Sequence, residues 1–438
     1  MTAISSAKSS SKIFFPGLDG LRFIAAAFVI LFHVEYKRSW FGISNFLHIN
    51  FFYTIGYYGV TLFFVLSGFL ITYLILKEVE KEGKVNVIHF YIRRALRIWP
   101  LYFFIILTGF FLWPNISGMA IPGFEELWDK LDWKIFLLYA FFLSPLVLVW
   151  VGNIPYLDQT WSVSVEEQFY LLWPILIRFY YKKIVRVLFL VIFIMLAIKT
   201  GILLINHFTG RGSKFLILAE LSRFGCMATG GLAAYAFFKN KESLLRFVYR
   251  TDVLIITLAF TASLLIWGFS TVLVAPFLIL IGLLVFNYTR KNQLAHGIWF
   301  LIGSLLMLAL LIVSLAGLAD FQLFETYKHE IIAFPFALII LNISANPEKF
   351  GILQHPVMQY LGRISYGVYM YHNIMITVSV KVLLAFYPAP ESHVGHVLHY
   401  IIAFALAISC SALSYALLEK PFLKMKKRFT KIRSGANG

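Results

Sequence analysis

The stretch YGVTLFFVLSGFLITYLI, residues 58–75, contains no charged side chain and is almost long enough to cross a bilayer as a helix. A hydrocarbon core of ~30 Å requires about 20 helical residues. Similar apolar runs recur along the whole chain of 438 residues, of which 60% are hydrophobic and 13% charged, with a mean hydropathy of +0.80. Soluble domains could not bury this much apolar surface. The sequence therefore predicts an all-α, polytopic bundle of about ten to twelve transmembrane helices.

The candidate spans are apolar runs close to the length of a crossing helix. They lie near residues 18–36, 52–76, 98–114, 161–180, 184–205, 216–238, 252–268, 271–288, 297–318, 329–345, 363–386 and 396–418. A further apolar stretch at 133–150 is short and broken at Ser144-Pro145. It is either an additional span or a re-entrant segment.

The distribution of basic residues favours the re-entrant arrangement. If 133–150 does not cross, both termini are cytoplasmic and most of the 38 Lys and Arg lie in cytoplasmic gaps, as the positive-inside rule expects. If it crosses, the second part of the chain inverts and violates that rule. We therefore predict a multi-pass protein of the cytoplasmic (inner) membrane, with a cytoplasmic segment at 1–17, a transmembrane domain at 18–419 and a basic cytoplasmic tail at 420–438.

Charge and cysteine content also limit the partners. A net charge of +17 would suggest nucleic acid in a soluble protein, but here the basic residues fall in short gaps between apolar runs. Anionic lipid headgroups are the predicted partner instead, and no nucleic acid is expected. The two cysteines, Cys226 and Cys410, lie in apolar segments without metal-ligand spacing, so neither a disulfide nor a metal site is predicted.

Two polar residues that are costly to bury in a bilayer share one face of the first span. Arg22 and His33 are eleven positions apart, within ~20° of three full turns and ~16 Å apart along the helix axis. Arg22 could simply reach the headgroups, and His33 could be a packing residue. Alternatively, Arg22 binds the phosphates of a cytoplasmic donor and His33 takes the proton of an acceptor hydroxyl, because histidine titrates near neutral pH.

The segment HFYIRRALRIWP, residues 89–100, carries a second basic feature. Arg94 and Arg97 lie at i and i+3 on one helix face, which suits the phosphates of a nucleotide-bearing donor. A positive-inside anchor explains Arg93 well. It accounts less easily for Arg97, which directly precedes an apolar run.

Small residues interrupt the opening stretch at Ser67-Gly68. Tight helix packing is the favoured explanation for Gly68. Ser67 is a candidate cavity residue, but no local base accompanies it in the sequence, which disfavours a covalent nucleophile.

The segment DQTWSVSVEEQFYLLWP, residues 158–174, enters a span from outside. Ser162 and Glu166 are four positions apart and share a face, so Glu166 is predicted to face inward and to pair with His33. A purely structural ion pair is the alternative. Trp161 and Ser162 are further candidates for lining a cavity.

Weaker signals lie near the end of the chain. Tyr366 and His372, in LGRISYGVYMYHNIM at residues 361–375, could line the same cavity, although a polar residue in a Tyr-rich helix is more often a packing partner. Glu419 is predicted to cap or pair within the basic boundary of the last span.

Together these segments resemble the acyltransferase-3 family of membrane-bound O-acyltransferases, typified by bacterial enzymes that acetylate cell-surface polysaccharides. The resemblance runs from about Phe15 to Lys420, and Val163 replaces the family's Leu. The matching motifs, in chain order, are Arg22-x10-His33, FFVLSGF at 63–69, Arg94-x-x-Arg97 and WSVSVE at 161–166.

The resemblance implies transfer of an acyl group, commonly acetyl, from cytoplasmic acyl-CoA to a hydroxyl of an extracytoplasmic glycan or glycoconjugate. Acyl-CoA would be a co-substrate, with no permanently bound cofactor. Arg22, Arg94 and Arg97 would bind the donor, and His33, oriented by Glu166, would deprotonate the acceptor. A route through acyl-His33 stays open.

A transporter or flippase of a lipid-linked glycan or acyl donor is the rival hypothesis. It predicts that ionisable residues continue through the later spans as a permeation path. Those spans read as nearly free of ionisable residues, which favours chemistry concentrated in the first four.

Overall fold

The computed structural model describes residues 14–129, 131–210, 213–240, 242–267 and 321–430. All regular elements in these ranges are helical, which confirms the predicted all-α bundle. The first part of the chain forms α1 (Leu18–Trp40), α2 (Asn50–Glu82), α3 (Val87–Phe111), α4 (Glu125–Asp129), α5 (Trp133–Ala140), α6 (Ser144–Trp150), α7 (Thr160–Tyr180) and α8 (Ile184–Thr209). The remainder forms α9 (Ser213–Leu221), α10 (Phe224–Phe238), α11 (Glu242–Val248), α12 (Thr251–Trp267), α13 (Phe321–Ala345), α14 (Gly351–Gln354), α15 (Pro356–Phe386), α16 (His393–Ser414) and α17 (Lys420–Lys426).

Seven continuous helical stretches in the described ranges are long and apolar enough to cross a membrane. One of them, Thr160–Thr209, joins two predicted spans, and α1 is excluded from the seven by its charged residues. The chain is thus a multi-pass membrane protein. The spans predicted at 271–288 and 297–318 lie outside the described residues.

The stretch at 133–150 does not form one crossing helix. It consists of α5 and α6, of eight and seven residues, separated by a turn in which Phe142 has a positive φ of 58°. Each helix spans only ~12 Å or less, well short of a bilayer core. The structure thus has no single spanning helix at 133–150, as the prediction expected, and the re-entrant course of this segment through the membrane stays a prediction.

The predicted span at 216–238 lies within one of the seven apolar stretches, Ser213–Phe238, so the span itself is confirmed, although its helix is interrupted once. Ser222 and Arg223 separate α9 from α10, and Arg223 is only 3% exposed at this break. A buried guanidinium needs polar neighbours, which a continuous lipid-facing helix would not provide.

Two ends of the bundle can be distinguished. The end where α1 begins, α2 ends, α3 begins and α17 follows α16 is called the basic end. The opposite end, called the loop end, carries residues 41–49, 112–159 and 387–392. There Glu35 of α1 accepts hydrogen bonds from the Phe46 amide and the Tyr400 hydroxyl, at 2.6 and 2.5 Å, while Arg38 donates to the carbonyl oxygens of Ser44 and Pro390.

Helices α2 and α10 cross with their backbones in contact. A methyl group on Gly68 would overlap the carbonyl oxygen of Met227, and one on Gly230 would overlap that of Val65. Because backbone atoms cannot rotate away, both positions require glycine. The prediction that Gly68 serves tight helix packing is confirmed.

A buried ionic cluster lies among α8, α10 and α13. Lys199 Nζ contacts Glu330 Oε1 at 2.7 Å with Lys199 only 1% exposed, and His329 Nδ1 lies 2.8 Å from Thr61 Oγ1. Arg223 is buried nearby and acts electrostatically on His329. The prediction that the later spans are nearly free of ionisable residues was therefore wrong, because these residues stood singly in the sequence and converge only in three dimensions.

We expect Lys199→Met to lower the free energy of unfolding by about 3–5 kcal/mol, because it leaves the Glu330 carboxylate buried without its partner. The double variant Lys199→Met/Glu330→Gln should recover most of that loss. Thermal unfolding of the purified protein in detergent measures both. Lys77→Met, which removes an ion pair whose side chains are 31% and 55% exposed, is the control. Equal losses for Lys199→Met and Lys77→Met would contradict the expectation.

Candidate active site

A cavity with about 760 Å³ of space unoccupied by protein atoms lies between α1, α2, α3, α7 and α15. Its polar lining brings together seven of the residues singled out in the sequence, which come from all five helices. They are Arg22, Ser67, Arg94, Arg97, Ser162, Glu166 and Tyr366. Residues far apart in the chain thus share one polar chamber, called here the main cavity.

The arginines of the main cavity are unequally neutralised. Arg22 forms an ion pair with Asp19 at 2.8 Å. Arg94 stacks between aromatic rings, with its guanidinium 5.6 Å from the centre of Phe90 and 6.0 Å from that of Tyr170, and its Nε has no hydrogen-bond partner. No carboxylate among the described residues forms an ion pair with Arg94 or Arg97. Their positive charge is therefore available to an anion.

Arg93, beside this pair in sequence, has a structural role. It contacts Glu78 at 2.7 Å and donates to the Phe429 carbonyl oxygen at 3.0 Å. It is not among the residues that line the main cavity. The contacts with Glu78 and Phe429, rather than helical spacing, distinguish Arg93 from Arg94 and Arg97.

Glu166 is engaged by α2. The hydroxyl of Ser67 donates to Glu166 Oε1 at 2.6 Å. Arg22 and Arg97 also act on this carboxylate electrostatically. Another helix thus places a carboxylate within hydrogen-bond distance of Ser67, which has no such neighbour in the sequence.

His33 is oriented by its own helix. Its Nδ1 lies 2.9 Å from the carbonyl oxygen of Val29, and because a carbonyl only accepts, Nδ1 carries the proton. Nε2 then presents a lone pair, the form that a general base requires. Asp158 is the carboxylate that acts electrostatically on His33.

The predicted pairing of Glu166 with His33 is therefore wrong in this structure. Glu166 is six residues past the start of α7 at Thr160, so it lies ~9 Å further along the helix axis than Thr160. Glu166 accepts a hydrogen bond from Ser67, whereas His33 is held by the Val29 carbonyl oxygen of its own helix. Helical spacing predicted the correct face of α7 but not the partner of Glu166.

His33 and His372 lie beyond the main cavity. Their ring centres are 4.6 Å apart, and His372 is fully buried. Its Nδ1 donates to the Tyr369 carbonyl oxygen, and its Nε2 has no hydrogen-bond partner among the described residues. Neither histidine lines the main cavity. Phe63 and Tyr369 do line it, with ring centres 5.5 Å apart, and the Tyr369 ring also lies 5.5 Å from that of His372.

Tyr369 was missed in the sequence. It lines the main cavity, and its hydroxyl lies 2.6 Å from Ser162 Oγ. The signal was present, since Tyr366, Tyr369 and His372 recur at three-residue spacing on one helical face. Tyr366 itself donates to the Ile98 carbonyl oxygen at 2.9 Å.

The remaining candidates have packing partners. The ring of Trp161 contacts that of Phe64 at 6.1 Å, and Trp161 does not line the main cavity. Glu419 lies in a π-helical turn, Tyr415–Glu419, where it is 6% exposed and acts electrostatically with Arg97. The catalytic and binding roles of all these residues stay predictions.

A second polar group surrounds the histidines from the loop end. The Asn373 side chain donates to Asp158 Oδ1 at 2.5 Å and to Gln159 Oε1 at 2.8 Å, which fastens the loop before α7 to α15. Lys37 is fully buried, with its ammonium 3.6 Å from the centre of the Trp40 ring. In the sequence, this group was indicated by Asp158 and Gln159, directly before a predicted span, and by Asn373, directly after His372. Within the described ranges, no group of three or more His, Cys, Asp or Glu could hold a metal ion.

The comparisons with known proteins agree on one family. A sequence model described as an acyltransferase domain matches residues 15–288 and 247–416. A peptidoglycan O-acetyltransferase of Listeria monocytogenes is 26% identical over 424 residues, which cover 94% of this chain and 56% of that protein. An O-acetyltransferase of Staphylococcus aureus is 28% identical over 266 residues, 56% of this chain and 39% of that protein. The chain thus spans about half the length or less of these relatives, and no solved structure matches.

Proposed function

Because the chain belongs to the acyltransferase-3 family, we propose that it is a membrane O-acyltransferase. It moves an acetyl group from acetyl-CoA, which enters at the basic end, to a hydroxyl of a glycan that approaches from the loop end. The observation that carries the proposal is the meeting of Arg22, Arg94 and Arg97 in one cavity on the way to His33.

The donor is assigned from charge. Among the described residues, no carboxylate forms an ion pair with Arg94 or Arg97, and guanidinium groups match phosphate oxygens in both charge and planar geometry. A diphosphate bound there leaves the pantetheine arm of the donor to extend along the main cavity toward Ser162 and Tyr369.

The distance along α1 suits such an arm. Arg22 and His33 are eleven residues apart, or ~16 Å along the helix axis. The pantetheine arm is a flexible chain of comparable length. To reach His33, the thioester must displace the contact between Phe63 and Tyr369.

His33 supplies the base. Its Nε2 takes the proton of the acceptor hydroxyl while the hydroxyl oxygen bonds to the thioester carbonyl carbon. The carbon–sulfur bond then breaks, and the CoA thiolate leaves and receives the proton from His33. The Val29 carbonyl holds the ring in the tautomer that this step needs.

The acceptor is assigned from the loop end. Tyr36, Trp40 and Phe124 form a row of partly exposed rings, with centres 5.0 and 4.4 Å apart, and the Asn153 amide donates to the Tyr36 hydroxyl at 2.9 Å. Aromatic faces with polar edges suit the faces and hydroxyls of sugar rings. The names of the relatives, which act on peptidoglycan or transfer O-acetyl groups, support a cell-wall glycan.

The orientation follows from charge. We assign the basic end and both termini to the cytoplasm and the loop end to the outer face of the cytoplasmic membrane, since basic residues favour the cytoplasmic side. The donor thus enters from the compartment in which acyl-CoA is made.

The test uses sealed inverted membrane vesicles, in which the cytoplasmic face is accessible, and acetyl-CoA labelled in its acetyl group. Label should enter glycan in inverted vesicles and not in right-side-out vesicles. Arg94→Met should raise the KM for acetyl-CoA about 10- to 100-fold, because it removes charge-assisted hydrogen bonds of about 1.5–3 kcal/mol. The exposed Arg246→Met is the control. Glycan crossing the membrane without any consumption of acetyl-CoA would support the transporter instead.

The alternative route passes through an acyl-enzyme on His33 or Ser67. Ser67 stays a candidate because its hydroxyl donates a hydrogen bond to Glu166. Direct transfer predicts intersecting lines in a two-substrate kinetic plot. A covalent route predicts parallel lines and label retained on the protein when the acceptor is withheld.

A further inference from the structure

A second cavity opens at the basic end beside the main cavity. It has about 420 Å³ of space unoccupied by protein atoms. Its lining shares Ile71 and Arg94 with the main cavity, so the two chambers adjoin along one wall. Its remaining lining residues are Leu74, Ile75, Glu78, Phe90, Arg93, Lys426 and Thr430. We call it the side chamber.

The side chamber has an excess of positive charge. Arg93, Arg94 and Lys426 face one carboxylate, Glu78, which is already paired with Arg93 at 2.7 Å. The charged groups that act on Lys426 are all cations, namely Arg22, Arg93, Arg94 and Arg97. Collecting like charges at short range costs free energy, which a bound anion would offset.

Lys426 is held in this position by the fold. It is the last residue of α17, and the chain directly after it is fastened to α3, since Arg93 donates to the Phe429 carbonyl oxygen at 3.0 Å and the His89 and Phe429 rings lie 5.7 Å apart. The Thr430 hydroxyl donates to the Lys426 carbonyl oxygen at 2.8 Å. From the sequence, residues from 420 onward were interpreted only as positive charge at the membrane surface. That interpretation does not explain a lysine that lines a chamber.

We propose that the side chamber binds the nucleotide end of the acyl-CoA donor and that Lys426 binds its ribose 3′-phosphate. This inference rests on the proposed function. Arg94, which lines both chambers, holds the diphosphate between them, and the pantetheine arm occupies the main cavity. The donor is thus bound across two adjoining chambers with Arg94 at their boundary.

The test measures binding of CoA and of dephospho-CoA, which lacks only the 3′-phosphate, to the full chain purified in detergent. The wild-type protein should bind CoA about tenfold more tightly than dephospho-CoA, the effect of one charge-assisted contact at a partly open site. Lys426→Met should lose that preference through weaker CoA binding, with dephospho-CoA binding unchanged. The control is Lys424→Met, on the same helix but exposed, which should keep the preference.

The outcomes separate this inference from the proposed function. If the wild-type protein binds neither ligand, the acyl-CoA donor itself is wrong. If it binds CoA but Lys426→Met keeps the preference over dephospho-CoA, or weakens both ligands equally, the role of Lys426 is overturned while the donor stands. A wild-type protein that binds both ligands equally would remove the 3′-phosphate contact.

Discussion

His33→Gln should lower the rate of acetyl transfer by about 10³-fold or more while leaving CoA binding unchanged. The variant keeps a polar side chain of similar size but has no basic nitrogen, and a positioned general base contributes about 10²–10⁴-fold. CoA affinity should not change, because Arg22, one of the arginines proposed to bind the phosphates, lies about three helical turns away along α1. The measurement pairs labelled acetyl transfer in inverted vesicles with CoA binding in detergent.

Two histidine controls sharpen this expectation. His393→Gln, exposed at the loop end, should keep full activity. His372→Gln removes the ring that packs on His33 at 4.6 Å, and we expect an intermediate loss. An His33→Gln protein within tenfold of wild-type activity would show that another group is the base.

Gly68→Ala should cost more than about 3 kcal/mol of folding free energy and sharply reduce the yield of folded protein. Overpacking of a well-fitted interior costs about 1–3 kcal/mol when side chains can adjust. Here the added methyl group would meet the backbone carbonyl oxygen of Met227, so the two helices must separate along their whole crossing. The reciprocal Gly230→Ala should have the same effect.

The control for this substitution is Gly201→Ala, since a methyl group at Gly201 meets no atom of the described residues within 4 Å. Yield of monodisperse protein and Tm in detergent report both changes. A Gly68→Ala protein as stable as Gly201→Ala would mean that α2 and α10 are not in backbone contact.

Much of the fold could be predicted because lipid imposes a simple rule. Apolar length located the described spans, whereas the charge distribution favoured a re-entrant segment at 133–150. The interruption between α9 and α10 was not predicted, because polar neighbours of Arg223 such as Glu330 and Tyr57 come from other helices.

For the candidate site, the sequence predicted which helix faces line the cavity more accurately than which side chains contact each other. Helical periodicity put Arg94 and Arg97 on one face, and both line the main cavity. Periodicity does not report how deep one helix sits relative to another, so Glu166 was assigned to His33 when it accepts a hydrogen bond from Ser67. Lys426 could not be separated from the other tail lysines, because only the packing of the tail on α3 distinguishes it.

The contact between Phe63 and Tyr369 has a bioenergetic consequence. A bundle with polar residues at both ends would conduct protons and small ions if its two openings joined through water, and each charge that crossed would dissipate about 2.3 kcal/mol per 100 mV. Phe63 and Tyr369 both line the main cavity and pack against each other, whereas His33 does not line it. Under the proposed function, an acyl group presented from one side and a hydroxyl presented from the other would meet without an open aqueous pore, and the reaction would not drain the ion gradients of the membrane.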